Sequence, residues 1–187
     1  MKKSILGLTL LTIAQLLTGC FGEANHHAVI SPAFVAQPGT RIELATVSND
    51  TGQQFDFDIA AELRTQLQLE LERQHLDFPN GSTGPRLILQ THILDYEKGN
   101  AAGRWFQPGL GGTRLMIKAN LTTASGDEVG TESVIRSVET GGIYSIGEWK
   151  KIFHAVAKDV VSDLKSKLSM PKPSNTTPEP TPTAPSD

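Results

Sequence analysis

Few side chains in this sequence stand at spacings that support metal binding or acid–base chemistry. His26 and His27 are adjacent, which is neither helical nor strand spacing, and the other three histidines are isolated along the chain. Acidic pairs such as Asp56 and Asp58 are predicted to lie on the ordinary solvated face of a helix. The motifs Gly-x-Ser-x-Gly and His-Glu-x-x-His are absent. We therefore expect no metal, no cofactor and no enzymatic activity.

A glycine-rich stretch from Gly99 to Gly112 is the most unusual internal segment, because it carries two aromatic residues and an arginine at its middle. A phosphate-binding loop would lead from a strand into a helix N-terminus, whereas Thr113 begins a predicted strand, so nucleotide binding is disfavoured. Two interpretations remain open. The aromatic side chains fold back on the core, or the loop is a contact site for protein or lipid. The candidate contact residues are Arg104, Trp105, Phe106, Gly109, Gly111 and Gly112.

The N-terminus has the features of a secretory signal peptide. Lys2 and Lys3 precede an apolar run from Ile5 to Leu17, which is too short to cross a bilayer of about 30 Å. The following residues, Leu17-Thr18-Gly19-Cys20, resemble the lipobox of bacterial lipoproteins. That resemblance implies that Cys20 receives a diacylglycerol, becomes the first residue after cleavage and carries palmitate-type acyl chains.

Composition narrows the class of partner. Removal of Lys2 and Lys3 with the signal peptide would leave 15 basic and 20 acidic residues, a net charge of −5. This balance disfavours nucleic acid and also disfavours docking on anionic lipid through a basic patch. Cys20 is the only cysteine, so the chain forms no internal disulfide.

Hydrophobic periodicity predicts two helices. Phe55, Ile59, Leu63, Leu67 and Leu71 recur every four residues and form one apolar stripe, with Leu69 lying off it. The second helix follows Ser145 and Glu148, which have the spacing of a capping box. Its apolar face consists of Trp149, Ile152, Phe153, Val156, Val160, Leu164 and Leu168.

Alternation of apolar and polar residues predicts four strands. They span residues 40–48, 86–96, 113–122 and 128–138, the second apolar on both faces and therefore central. An irregularity is expected in the last strand where Val134 and Ile135 adjoin. The sequence thus predicts an α+β domain with element order β-α-β-β-β-α, in which two amphipathic helices cover one face of a four-stranded, largely antiparallel sheet.

Three internal motifs carry a resemblance to a known family. They are the run Gly103-Arg104-Trp105-Phe106-Gln107-Pro108-Gly109-Leu110-Gly111, which departs from the family pattern at Gly112, the Leu-x-Ile-x-Ala strand at residues 115–119 and the Ala-Ser-Gly-Asp-Glu-Val turn at residues 124–129. With the lipobox they resemble the bacterial lipoproteins of the domain of unknown function 4410 family. The resemblance implies an envelope location and a small α+β fold, and it supplies no catalytic residue.

These observations predict four segments: a lipoprotein signal peptide (1–19), a lipidated tether (20–39), an α+β domain (40–168) and a disordered Pro/Thr-rich tail (169–187). Phe21 follows Cys20 in place of the aspartate that retains many lipoproteins in the inner membrane. We therefore expect the periplasmic face of the outer membrane, where the domain acts as a non-enzymatic interaction or accessory module for an envelope protein. The alternative is a carrier or sensor of an apolar ligand, which would require a lined cavity between sheet and helices.

Overall fold

The computed structural model describes residues 24–99, 112–138 and 148–169. Within these ranges the chain forms five strands and two long helices. In chain order the elements are β1 (Ala24–Ile30), β2 (Arg41–Asn49), α1 (Ile59–Arg73), β3 (Arg86–Glu97), β4 (Thr113–Thr123), β5 (Glu128–Val138) and α2 (Glu148–Ser169).

The strands form one mixed sheet in the order β1-β5-β4-β3-β2. The pairs β1–β5, β5–β4 and β4–β3 are antiparallel, whereas β2 and β3 are parallel because α1 crosses over between them. Both helices pack on one face of the sheet and contact each other. The expected α+β class with two helices on one face is therefore confirmed.

The predicted four-stranded sheet is wrong in detail, because the described structure has a fifth strand. β1 lies within the segment predicted to be a tether, and it pairs with β5 at the edge of the sheet. The sequence of β1 contains two histidines and little alternation, so its strand conformation depends on the partner ladder rather than on local pattern. β4, and not β3, is consequently the central strand.

Alternation along β4 separates a buried face from a polar face. Leu115, Ile117, Ala119 and Leu121 are at most 1% exposed and face the helices. The predicted irregularity at Val134 and Ile135 is absent from the β4–β5 register, which shifts instead between Leu121 and Thr122. Two further irregularities interrupt β2 after Leu44 and β3 after Ile93.

The predicted stripe of α1 is buried, but the helix begins later than its first apolar residue. Ile59, Leu63, Leu67 and Leu71 are at most 1% exposed, and Leu69, which lies off the stripe, is 51% exposed. Asp58 is the N-cap, because its carboxylate accepts a hydrogen bond of 2.9 Å from the backbone N–H of Ala61. Asp56 and Asp58 therefore precede the helix, and the expectation that they lie on its solvated face is wrong.

The apolar face of α2 agrees with the prediction. Ile152, Phe153, Val156, Val160 and Leu164 are buried, and Trp149 and Leu168 pack against the core at the two ends. Ser145 and the side chain of Glu148 lie outside the described part, so the predicted capping box stays a prediction.

The sheet has two ends, the loop end and the turn end. The loop end is where β1 begins at Ala24, β3 ends at Glu97, β4 begins at Thr113, β5 ends at Val138 and α2 begins at Glu148. The turn end is the opposite one, with the β4–β5 turn at Ala124–Asp127 and the last residues of α2.

Candidate functional site

The base of the predicted contact loop lies at the loop end, where the described structure resumes at Gly112. The hydroxyl of Thr113 donates a hydrogen bond of 2.9 Å to the carbonyl oxygen of Lys98, which ties the two ends of the loop together. Gly112 is half-buried directly before β4. The other candidate contact residues, Arg104, Trp105, Phe106, Gly109 and Gly111, lie outside the described residues, as does the predicted lipidation site Cys20.

Next to this base, five aromatic side chains close the loop end of the core. The rings of Phe57 and Trp149 have centroids 4.3 Å apart, and Tyr96 contacts Phe55 and Phe153 at 5.1 and 5.3 Å. Phe57 also meets Tyr96 and Phe153 edge to face. We call these five residues the aromatic cluster: Phe55, Phe57, Tyr96, Trp149 and Phe153. All five come from segments outside the predicted contact loop.

Two lysines lie over the aromatic cluster. The ammonium of Lys98 is 5.0 Å from the centroid of Trp149 and 5.9 Å from that of Phe57, and Lys150 lies 5.3 Å from Trp149 on its own helix. Lys98 also donates a hydrogen bond of 2.5 Å to Asp56. That hydrogen bond lowers the pKa of the Asp56 carboxyl, so the carboxylate stays charged at neutral pH.

Tyr96 is poorly suited to acid–base chemistry despite its position. Its side chain is 2% exposed and its hydroxyl has no hydrogen-bond partner. Burial raises the pKa of the phenol, and the negative charge of Asp56 raises it further. The phenol therefore stays protonated, and its role in the cluster is packing.

A second polar group lies inside the fold, between β5 and α2. Glu132 is 1% exposed and neither carboxyl oxygen has a hydrogen-bond partner. Burial raises its pKa to about 9, and the negative charges of Asp163 and Asp159 on α2 contribute to the rise. Alanines stand opposite it on both neighbouring strands, Ala28 on β1 and Ala119 on β4.

Two polar contacts to α2 lie beside Glu132 at the edge of the same interface. His26 of β1 lies 2.6 Å from Asp163, and Arg136 of β5 pairs with Asp159. These contacts attach β1 and β5 to α2. They are partly exposed and distributed along two strands, and they do not converge on an open site.

Ser48, Asp50 and His92 form a hydroxyl–carboxylate–imidazole group that sequence reasoning missed. The parallel register of β2 and β3 places Ser48 opposite His92. The Ser48 hydroxyl and the Asp50 carboxylate both approach the same ring nitrogen, Nδ1, at 3.0 and 2.8 Å. A nucleophile relay needs the base to use one nitrogen for the hydroxyl and the other for the carboxylate. The arrangement therefore positions side chains and does not activate Ser48.

No group of three or more histidine, cysteine, aspartate or glutamate side chains within residues 24–99, 112–138 and 148–169 is arranged to hold a metal ion. No helix in the described part of the chain is long and apolar enough to cross a membrane.

Surface depressions lined by described residues lie away from the sheet–helix interface. A groove of about 460 Å³ at the turn end is lined by Phe34, Val35 and Pro85 among others, and a second of about 340 Å³ follows Val29 and Ser31 at the sheet edge. The carrier interpretation requires a cavity between the sheet and the helices, and neither groove lies there.

The fold and the side chains at the loop end define the class of protein. It is a small α+β domain with a mixed five-stranded sheet, two helices on one face of the sheet, and an aromatic cluster with two lysines at one end. The chain belongs to the family described as domain of unknown function (DUF4410), whose model matches residues 39–142. The matched region includes β2 to β5 and the predicted contact loop, and the sequence resemblance to this family is confirmed. A comparison with curated proteins gave no significant match.

Solved structures share the fold at low sequence identity. A variant of PelC from Paraburkholderia phytofirmans, solved as a dodecamer, has a TM-score of 0.54 at 13% identity, covering 76% of this chain and 97% of that one. A second PelC dodecamer from the same organism gives a TM-score of 0.52 at 15% identity, with the same shares covered. At these identities the likeness establishes the fold alone.

Proposed function

We propose that this protein is a bacterial envelope lipoprotein, anchored through Cys20 at the periplasmic face of the outer membrane, that acts as a non-enzymatic accessory module by binding an envelope protein. The lipobox-like residues 17–20 support the anchor. The observation that carries the binding role is the contrast between the two edges of the sheet.

The β2 edge is blocked by the chain itself. The backbone of Ile42 bonds to the segment after α1, donating to the carbonyl of Leu76 at 2.7 Å and accepting from the N–H of Phe78 at 3.0 Å. Further along β2, the guanidinium of Arg64 donates to the carbonyl oxygens of Ala45 and Leu44 at 2.6 and 3.3 Å. Such cover is how proteins keep an edge strand from pairing with another chain.

The β1 edge has no equivalent cover among the described residues. The N–H of Ser31 donates to the carbonyl of Val129, and this bond identifies which residues of β1 form hydrogen-bonded pairs with β5. Hydrogen-bonded and non-hydrogen-bonded pairs alternate along an antiparallel ladder. The backbone N–H and C=O groups of His26, Ala28 and Ile30 therefore point away from β5. Three residues with outward N–H and C=O groups at every second position suit the addition of a partner strand.

A second copy of this chain is the first partner to test, because the structurally similar PelC was solved as a dodecamer. Strand addition at β1 requires main-chain groups rather than particular side chains. It therefore fits a partner strand from another copy or from a different envelope protein.

Ala28→Pro tests the edge directly, since it removes one outward N–H and places a ring on the open side while the β5 ladder keeps its bonds. Cross-linking in intact envelopes and sedimentation of the purified protein should both show loss of the partner. Ala28→Val is the matched control because it retains the N–H, and it should retain the partner. If Ala28→Pro keeps its partner and its melting temperature, the β1 edge is not the binding surface.

Cys20→Ser tests the anchor. The wild type should incorporate labelled palmitate and sediment with membranes, whereas Cys20→Ser should accumulate as uncleaved precursor without label. Two or three acyl chains give stable anchoring where one is marginal, at about 0.8 kcal/mol per buried CH₂. Processing of the Ser variant together with an unlabelled wild type would exclude a lipoprotein.

A further inference from the structure

The position at which the chain enters the fold determines which end of the domain an N-terminal anchor holds. β1 begins at Ala24, only four residues after Cys20, and it begins at the loop end. Four extended residues span at most about 14 Å. β4, with 11 residues, extends about 37 Å from the loop end to the turn end. An anchor at Cys20 therefore keeps the loop end close to the membrane and allows the turn end to lie far from it.

The described side chains at the loop end suit a phospholipid headgroup layer. Trp149 is half-buried against Phe57, and Lys98 and Lys150 lie over its ring. Tryptophan is enriched at this layer because its ring is apolar and its N–H is polar. Lysine suits it because a methylene stem can lie along apolar surface while the ammonium reaches phosphate.

At the turn end, Arg86 lies over the ring of Phe78, and the β4–β5 turn carries an exposed carboxylate, Asp127. The hydroxyls of Ser125 and Thr123 donate to the Asp127 carboxylate at 2.6 and 3.2 Å. These hydrogen bonds lower the pKa of Asp127 and keep its charge in place at neutral pH. Burying such a group at a headgroup surface would cost the hydration of a carboxylate that has no cationic partner in this turn.

We propose that the loop end is the membrane-facing surface of the domain, with Trp149, Lys98 and Lys150 contacting phospholipid headgroups. This inference rests on the proposed lipidation of Cys20. The short connection, and not net charge, brings the surfaces together, so the contact should form on zwitterionic lipid as well.

The test couples the mature chain, starting at Cys20, to a maleimide lipid in phosphatidylcholine vesicles whose acyl chains carry bromine, a short-range quencher of tryptophan fluorescence. Trp105→Phe leaves Trp149 as the single tryptophan of the chain. The matched control carries Trp105→Phe, Trp149→Phe and Ala124→Trp, which moves the reporter to an exposed position at the turn end. Circular dichroism verifies that both variants are folded.

We expect the bromine to reduce Trp149 fluorescence by at least one third and to leave the turn-end reporter unchanged. Equal quenching at both positions, or quenching of the turn-end reporter alone, would overturn the proposal. Replacing Lys98 and Lys150 by glutamate should weaken the Trp149 quenching at least twofold, and unchanged quenching would remove both lysines from the contact.

Palmitate labelling in bacteria separates this inference from the proposed function. A labelled Cys20 with an unquenched Trp149 overturns the orientation alone. An unlabelled Cys20 overturns the anchored function and the membrane-facing surface with it.

Discussion

Among the residues that the structure describes, Glu132 has the environment that differs most from what its chemistry favours. A carboxyl group without a hydrogen-bond partner is placed between sheet and helix, where ionisation would leave an uncompensated charge. With a pKa of about 9, the folded protein holds it protonated at neutral pH, whereas the unfolded chain releases that proton near the ordinary value of 4.5. Folding therefore takes up a proton in this range.

The direction of the resulting pH dependence follows from proton counting. Because the folded state binds one proton more than the unfolded state between pH 4.5 and about 9, the free energy of unfolding falls as pH rises through this window. Glu132→Gln removes this group, so the free energy of unfolding of the variant should not fall in this way. Between pH 5 and pH 7 the wild type should lose on the order of 3 kcal/mol of stability relative to Glu132→Gln. Urea unfolding at pH 5, 7 and 8 measures the difference.

Glu128→Gln is the matched control, because Glu128 is exposed at the start of the same strand. It should follow the wild-type pH dependence. Parallel loss of stability in wild type and Glu132→Gln between pH 5 and pH 8 would contradict a protonated Glu132.

Sequence reasoning does not identify Glu132, since its neighbours Thr131 and Ser133 are polar as well and the local pattern lacks contrast. Its burial arises from the two alanines opposite it and from α2, which are distant in sequence. The same holds for Ser48 and His92, whose contact depends on a parallel register created by a crossover helix. Residues that are far apart in the sequence become neighbours only when their strands pair.

At the scale of elements, strong hydrophobic periodicity is enough to predict a helix or strand that buries an apolar face of its own. The stripes of α1 and α2 and the alternation of β4 identify core residues correctly because those side chains face a common layer. β1 could not be predicted in this way. It is an edge strand in which Asn25, His26, His27 and Val29 are exposed and Ala28 and Ile30 are partly buried, which is too weak an alternation to predict a strand.

Attachment of β1 should depend on Gly130, which faces it on β5. A Cβ at Gly130 would lie 2.3 Å from the carbonyl oxygen of Val29 and 3.0 Å from the Cα of Ile30, so the β1 backbone would have to shift. Gly130→Ala should destabilise the domain by about 1–3 kcal/mol. It should also increase hydrogen exchange of the β1 amides more than that of β3.

Ser133→Ala on the same strand provides the comparison, since Ser133 is exposed. It should leave both stability and exchange near wild-type values. Unchanged β1 exchange in Gly130→Ala would show that the strand accommodates the added methyl group.

For the whole molecule, the C-terminal tail is predicted to contribute nothing to folding stability. Residues 172–187 are rich in proline and threonine and offer almost no apolar surface to bury. Deleting Lys172 to Asp187 should leave the melting temperature unchanged. A decrease of several degrees, measured by calorimetry on the otherwise intact protein, would show that the tail packs against the domain.

The pairing of β1 with β5 also has a consequence for the order of folding. Partners in this ladder are 100 to 112 positions apart, from Ile30 with Gly130 to Ala24 with Arg136, so the ladder closes the longest loop in the sheet. Closing it last costs least entropy, because β2 to β5 are by then already assembled. Pulsed hydrogen exchange during refolding should protect the β1 amides after those of β3 and β4. Under the proposed export, with the N-terminal part of the domain crossing the membrane first, β1 would be the first strand to arrive and the last to be paired.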